Sequence, residues 1–229
     1  MNKVRYNSLI CSYPRSGNHW VRYIVEFISK RPTLGAGEFK WATTVDAPIF
    51  DRMGESSYYE NSNFIAKKTH SLSKNDIKEK DMLFVIRDYK EILLRKHKIS
   101  LPLDKSQKRT VSDYLELIRG YHNCNNKKQI IYYEDLVTDP SLVVEAICSF
   151  FSLESEDHNE RKQSFLNDIG VHKEKCISLY NKINSSNSRG ENIKFYSKDS
   201  NVNLEEVDAY VRNISEDLNN YINRYQRQE

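Results

Sequence analysis

The sequence predicts an α/β fold, in which helices cover both faces of a central parallel β-sheet and so form three layers. Two observations support this prediction. Short β-branched or aromatic runs alternate with segments whose apolar residues recur every three or four positions, a pattern typical of strands followed by helices. The run MLFVI, within residues 81–86, is unbroken in apolar character, as expected for a strand buried on both faces.

The elements follow one another along the first two thirds of the chain. Strands are predicted at residues 7–13, 63–67, 81–86 and 128–133, and helices at 19–30, 90–99, 111–122 and 140–151. Pro140 suits the first turn of the last of these helices. Because ligands of parallel α/β sheets bind at the carboxyl ends of the strands, we expect the functional residues to follow the strands.

The C-terminal third is less regular. Residues 182–203 are rich in Ser and Asn and predict a long mobile loop, either functional or disordered. A helix is predicted over residues 204–226, where apolar side chains recur in steps of three and four. This stripe has two interpretations, packing against its own domain or, less commonly, a homodimer seam. We expect one domain spanning residues 1–229.

Composition excludes several classes of function. A net charge of +3 is too small to indicate a nucleic-acid-binding protein. No apolar run reaches the roughly 20 residues of a membrane span, and the N-terminal apolar run is too short for a signal peptide. The four cysteines lie far apart with no CxxC pair, which favours reduced thiols over a disulfide framework or zinc site. We therefore expect a cytoplasmic protein without a metal.

The segment CSYPRSGNHW, at residues 11–20, leaves a predicted strand and enters a helix. Such a loop presents backbone N–H groups at the positive end of the helix dipole. Arg15 adds a planar donor fork, Ser16 and Asn18 add short polar side chains, and Gly17 permits close approach of a ligand. The loop therefore suits phosphate or sulfate, although a plain strand-to-helix turn is the alternative. It lacks the GxxxxGK[ST] pattern, which disfavours a small-molecule kinase.

Two further segments place charged residues at strand ends. His70 follows the second predicted strand and is a candidate base for an acceptor hydroxyl, with Lys68 two residues earlier to stabilise negative charge. A structural histidine is the alternative. Arg87 follows the third of these strands and suits a bidentate contact to a second phosphate, or an ion pair with Asp88.

Together these segments resemble a known family, the sulfotransferases that use 3'-phosphoadenosine-5'-phosphosulfate (PAPS). The resemblance covers about residues 8–151 and rests on SYPRSGNHW, KTH, VIRDYKE and YYEDLVTDP, in the family's order and spacing. It implies a P-loop NTPase-like fold, PAPS as co-substrate and no metal. It also implies that Trp20 lies against the adenine and Tyr133 reaches its edge. The implied donor site comprises Arg15, Ser16, Gly17, Asn18, His19, Trp20, Arg87, Arg95, Tyr133, Arg189 and Gly190.

The sequence departs from the family pattern at three places. Arg95 stands where the family usually has a serine, eight residues after the arginine of the 3'-phosphate segment. Arg15 stands where a lysine is common, and the two cations are not sterically equivalent. Near the C-terminus, Ser188-Arg189-Gly190 is the counterpart of an Arg-Lys-Gly segment that closes over the 3'-phosphate.

The resemblance implies a sulfotransferase acting on a hydroxyl or amine. His70 is then the base, and Lys68 and Arg15 balance charge on the transferring group. The departures leave a second hypothesis, a nucleotide-binding protein of the same fold without turnover. The acceptor stays open among small molecules such as phenols, carbohydrates, lipid head groups and peptide tyrosines. Aromatic residues that either wall an acceptor pocket or pack in the core are Phe39, Trp41, Phe50, Tyr58 and Tyr59.

Overall fold

A computed structural model of the protein describes residues 6–35, 64–97, 102–185 and 204–226. Within these residues, five strands form one sheet: β1 (Ser8–Ser12), β2 (Thr33–Leu34), β3 (Ala66–Thr69), β4 (Asp81–Ile86) and β5 (Lys128–Tyr132). The strand order is β2-β3-β1-β4-β5, and every neighbouring pair is parallel. The predicted α/β fold with a parallel sheet is confirmed, in the P-loop NTPase-like arrangement.

The helices in the described part of the chain follow in sequence order. They are α1 (Asn18–Ser29), α2 (Lys74–Glu79), α3 (Tyr89–Lys96), α4 (Lys105–His122), α5 (Tyr133–Thr138), α6 (Pro140–Phe151), α7 (Glu156–Asn167), α8 (Ile169–Ser185), α9 (Glu205–Ile214) and α10 (Asn219–Ile222). Single 3₁₀ turns at Glu216–Leu218 and Asn223–Tyr225 flank α10.

The sheet separates two hydrophobic layers because successive strand residues face opposite sides. On one face, Met82, Phe84 and Ile86 of β4 join a core cluster with α3, α4 and the C-terminal helices. On the other face, Leu83 and Val85 join a cluster with α1, α6 and α7. Both clusters are fully or nearly fully buried, so β4 is covered on both sides as its sequence predicts.

The structure corrects several predicted boundaries. The second predicted strand, 63–67, lies instead at Ala66–Thr69 (β3), and the short β2 was not predicted. Tyr133 begins helix α5 rather than ending a strand. Residues 182–185 of the predicted loop belong to α8, and the rest of that loop, 186–203, lies outside the described residues.

The predicted helix over 204–226 is not continuous. It breaks after α9 at Ser215, whose hydroxyl donates to the Val211 carbonyl (2.6 Å) while its own carbonyl accepts the Leu218 N–H (2.8 Å). The apolar stripe packs into its own domain, since Val207, Val211, Leu218 and other members are buried in the α3–α4 cluster. The stripe therefore supplies no dimer seam, and a homodimer stays a prediction.

Candidate active site

The sheet topology brings the three predicted segments to one edge. Strand β1 lies between β3 and β4, with Cys11 opposite Thr69 on one side and Ser12 opposite Val85 on the other. The segments that follow β1, β3 and β4 therefore emerge side by side at the carboxyl edge of the sheet. The chain leaves β1 toward β2 and β3 on one side and later crosses to β4 on the other, so this edge is the switch point where ligands of such sheets bind.

The loop between β1 and α1 makes a tight turn. The Ser16 N–H donates to the Tyr13 carbonyl (3.2 Å), and Arg15 and Gly17 both adopt left-handed backbone conformations, with φ of 76° and 88°. A non-glycine residue in this conformation costs roughly 1–2 kcal/mol. Backbone strain of this kind, as at Arg15, is often found in functional loops. The Gly17 carbonyl accepts the first helical hydrogen bonds, from Trp20 and Val21. The N–H groups that precede Trp20 in this first turn have no carbonyl within the helix to which they can donate.

Two buried polar atoms of this loop lack partners among the described residues. They are the Ser16 hydroxyl and the Asn18 Oδ1, while the Asn18 amide nitrogen donates to the Ile10 carbonyl (3.2 Å) and the Ser12 Oγ (3.1 Å). Leaving a buried polar atom unpaired costs roughly 1–3 kcal/mol. The Ser16 hydroxyl can donate to a phosphate or sulfate oxygen, which fits the phosphosulfate end of PAPS, whereas Asn18 Oδ1 only accepts, so Asn18 would contact such an anion through its backbone N–H.

Gly17 has a structural role besides the predicted close approach of a ligand. A Cβ atom at this position would lie 2.2 Å from Cδ2 of Tyr133, so the glycine makes room for the tyrosine ring. The Tyr133 ring is buried, and the Arg87 guanidinium lies over it at 4.2 Å from the ring centroid. The loop, the start of α5 and the residue after β4 are thus packed into one unit.

His70 is oriented by the end of β1. Its Nδ1 lies 2.7 Å from the Ser12 carbonyl oxygen, which can only accept, so Nδ1 carries the proton of the neutral ring. The lone pair of the neutral imidazole is then on Nε2, the tautomer that a base requires. The half-buried Lys68 is in β3 opposite Ile10, two residues before His70. Ser12, which the sequence did not single out, holds both His70 and Asn18.

Arg87 is a buried cation. It is 2% exposed, its Nη1 donates to the Arg15 carbonyl (3.2 Å), and its Nε has no partner among the described residues. Burial lowers the pKa of Arg87, and nearby Arg95 acts in the same direction, although an arginine remains protonated at neutral pH. A buried guanidinium with an unpaired N–H favours an anionic ligand.

Arg95 joins Arg87 through a shared carboxylate. Glu91 accepts from Arg87 Nη2 (3.5 Å) and from Arg95 Nε (3.4 Å), each one helical turn away. Two guanidinium groups thus share this carboxylate, and Glu134 also acts electrostatically on Arg87. The departure at Arg95 therefore adds a cation beside Arg87. Glu91 was not predicted, although its spacing of four residues from both arginines is the sequence signal for such pairs.

Trp20 is packed in the α1 layer. Its ring is 6% exposed and stacks on Tyr23 (5.4 Å) and against Phe165 (5.5 Å). Its contact with an adenine stays a prediction, as does the role of the half-buried His19. Arg189, Gly190 and the five aromatic residues predicted for an acceptor pocket lie outside the described residues.

Three further features concern the predictions of no metal, no membrane span and reduced cysteines. Over the described ranges, no group of three or more His, Cys, Asp or Glu side chains could hold a metal ion. In the same ranges no helix has the length and apolar character needed to cross a membrane. All four cysteines are buried and carry free thiols.

The parallel α/β fold and the residues at the carboxyl edge of its sheet define a protein that binds an anionic nucleotide. These residues form a phosphate-type loop, an oriented histidine and a buried arginine. The sulfotransferase domain family matches residues 6–227, and the chain therefore belongs to the PAPS-dependent sulfotransferases. No curated protein matches the sequence.

Among solved structures that resemble this chain at low sequence identity, the first named below shares its fold. Mouse sulfotransferase SULT7A1 complexed with PAP is 15% identical, with a TM-score of 0.51, over 96% of this chain and 87% of that chain. Retinol dehydratase in a complex with retinol and PAP is 13% identical, with a TM-score of 0.43, over 82% of this chain and 83% of that chain. A sulfotransferase from Alicyclobacillus acidocaldarius is 11% identical, with a TM-score of 0.39, over 79% of this chain and 96% of that chain.

Proposed function

We propose that the protein transfers the sulfuryl group of PAPS to a hydroxyl or amine of an acceptor, with His70 as the base. The observation that carries this proposal is the hydrogen bond from His70 Nδ1 to the Ser12 carbonyl, because it presents Nε2 as the basic atom beside the anion loop. PAPS supplies the activated S–O bond. The acceptor atom bonds to sulfur as the S–O bond to the 5'-phosphate breaks, and the acceptor proton goes to His70 Nε2.

The other residues act by position and charge. Lys68, near His70, and Arg15, in the loop, balance negative charge that develops on the sulfuryl and leaving phosphate. Ser16, Asn18 and the N–H groups at the start of α1 hold the 5' end. These donors are fixed before the reaction, so little reorganisation is needed in the transition state.

The other end of the donor is assigned to Arg87 and Arg95. Arg87 is buried, its Nε has no partner among the described residues, and it lies near Arg95, an arrangement that suits the 3'-phosphate. Tyr133, whose ring lies between Gly17 and Arg87, is proposed to border the adenine. Arg189, Gly190, His19 and Trp20 complete the proposed donor site on the resemblance alone. The protein is proposed to work without a metal and in the cytoplasm.

The donor is tested by thermal shift. A ligand bound only by the folded state raises its melting temperature, so 3',5'-phosphoadenosine should stabilise the protein and ATP should do so less. A larger shift with ATP, or none with 3',5'-phosphoadenosine, contradicts the proposal.

Turnover is tested with labelled PAPS and a panel of a phenol, a carbohydrate, a lipid head group and a tyrosine peptide. His70→Ala should retain donor binding and lose about 10²- to 10⁴-fold in turnover. His122→Ala is the matched control, because His122 is exposed on α4. Full activity of His70→Ala removes His70 as the base. Turnover of no acceptor, with donor binding intact, favours the nucleotide-binding hypothesis.

A further inference from the structure

Glu134 joins the two segments that follow β4 and β5. Its Oε1 accepts the backbone N–H of Asp88 (3.1 Å), and its Oε2 accepts the phenolic O–H of Tyr225 (2.7 Å). Asp88 directly follows Arg87, and Glu134 directly follows Tyr133. One carboxylate therefore ties together the backbones that carry the two side chains assigned to the adenine and 3'-phosphate end of the donor.

The hydrogen bond from Asp88 to Glu134 is made by the peptide group that joins Arg87 to Asp88. Asp88 caps the N-terminus of α3 by accepting the Lys90 N–H (2.9 Å), so its backbone forms the hinge between β4 and α3. The carbonyl of Arg87 accepts the Tyr114 O–H (2.9 Å). Both polar groups of the Arg87–Asp88 peptide, its C=O and its N–H, are thus bonded by side chains from other elements, and Glu134 supplies one of these anchors.

Tyr225 is itself held by a residue at the start of α3. The Lys90 ammonium group donates to the Tyr225 carbonyl and to Asp208 Oδ1 (3.1 Å), and the Tyr89 O–H donates to the same oxygen (2.6 Å). Tyr225 and Asp208 are 7% and 2% exposed. The residue range 204–226 therefore packs behind the start of α3, and a buried phenol in it completes the hydrogen bonding of Glu134.

We propose that Tyr225 and Glu134 are a positioning pair for the donor site, fixing the Asp88 backbone and thereby the placement of Arg87 against the 3'-phosphate. This inference rests on the proposed function. Without the Tyr225 hydroxyl, one oxygen of the half-buried Glu134 loses its charge-assisted hydrogen bond, and the carboxylate gains by turning toward water and releasing the Asp88 N–H. The expected loss of affinity is confined to the 3'-phosphate end of the donor.

The test compares affinities for 3',5'-phosphoadenosine and 5'-AMP, which lacks the 3'-phosphate. In Tyr225→Phe, the dissociation constant for 3',5'-phosphoadenosine should rise about fivefold and that for 5'-AMP by less than about twofold. Tyr221→Phe is the matched control. It removes the same hydroxyl four residues earlier, where the partner is the exposed His122 (3.0 Å), and it should change neither constant.

Two further measurements separate positioning from general stability. Glu134→Gln should retain the preference for the 3'-phosphate, because its amide oxygen accepts the Asp88 N–H and its NH₂ group donates to Tyr225, whereas Glu134→Ala should lose it. Hydrogen exchange of the Asp88 amide, followed by NMR without nucleotide, should accelerate in Tyr225→Phe and not in Tyr221→Phe.

The outcomes are distinct. A wild-type protein that fails to bind 3',5'-phosphoadenosine overturns the proposed function and this inference with it. Wild-type binding with an unchanged preference for the 3'-phosphate in Tyr225→Phe overturns the positioning pair alone. Equal exchange of the Asp88 amide in the two tyrosine variants also overturns it.

Discussion

Replacing Gly17 by alanine tests the packing of the candidate site most directly. A Cβ atom would lie 2.2 Å from Cδ2 and 2.6 Å from Cε2 of Tyr133, and real Cβ atoms essentially never approach another heavy atom so closely. The backbone also has φ of 88°, which disfavours any L side chain. Alanine therefore forces the loop, the tyrosine ring or both to move.

The cost of Gly17→Ala has two parts. The left-handed backbone costs an alanine roughly 1–2 kcal/mol, and overpacking costs roughly 1–3 kcal/mol. The free energy of unfolding should thus fall by about 2–5 kcal/mol, a large fraction of the about 5–15 kcal/mol of a typical domain. Donor affinity should also fall, because the Arg87 guanidinium lies over the displaced ring.

The assay is urea denaturation with a double-mutant cycle. Tyr133→Val removes the two ring atoms that clash and keeps only γ carbons, whose counterpart in tyrosine is 3.4 Å from the added Cβ. In this background Gly17→Ala should cost only the backbone part, so the coupling free energy should be about 1–3 kcal/mol. An unchanged cost of Gly17→Ala in the valine background would refute the clash.

Two other glycines are graded controls. Gly170, exposed in α8, has nothing within 4 Å of an added Cβ, and alanine there should be neutral or stabilise by up to about 1 kcal/mol. Gly120, in α4, would place its Cβ 2.7 Å from Cδ1 of Leu72, the flexible end of a side chain. Gly120→Ala should fall between the other two variants, and a different order would contradict the geometry.

Two further predictions concern charge. Arg95→Ser should weaken binding of 3',5'-phosphoadenosine about tenfold at low salt and change 5'-AMP little; Arg109→Ser, at an exposed ion pair with Asp113, is the control, and equal effects of the two would contradict the assignment. Burial raises the pKa of Asp88 to about 6, with Lys90 opposing the rise. Between about pH 4 and 6 the folded state then holds more protons than the unfolded state, so this carboxyl destabilises the protein increasingly as pH rises. Asp88→Asn keeps an N-cap acceptor, and its stability relative to wild type should increase by about 2–3 kcal/mol from pH 4 to 7 in urea titrations; a pH-independent difference would refute this.

Short-range sequence patterns predicted the strands and helices whose bounds depend mainly on their own residues. The strand at Asp81–Ile86 and the helix at Pro140–Phe151 have the predicted bounds, because one is an apolar run and the other begins at a proline after a capping aspartate. Helices α7 and α8 were missed. They are largely polar, and among the side chains that the structure describes in them few, such as Phe165, are buried. No strong apolar periodicity marks them, and packing against α1 decides their place.

Residue chemistry in the sequence was sufficient to predict the class of ligand, and the residues assigned around it stay predictions. The anion loop, the histidine and lysine after one strand and the arginine after another depend only on residue type and on their position after strands, because parallel strand ends meet at one edge. The tertiary structure alone decided what these residues contact. Gly17 leaves room for the Tyr133 ring. Glu91 connects Arg95 to Arg87, and Glu134 connects the C-terminal segment to Asp88. These contacts join residues far apart in sequence or depend on side-chain direction, and both are set only when the sheet and its two layers pack together.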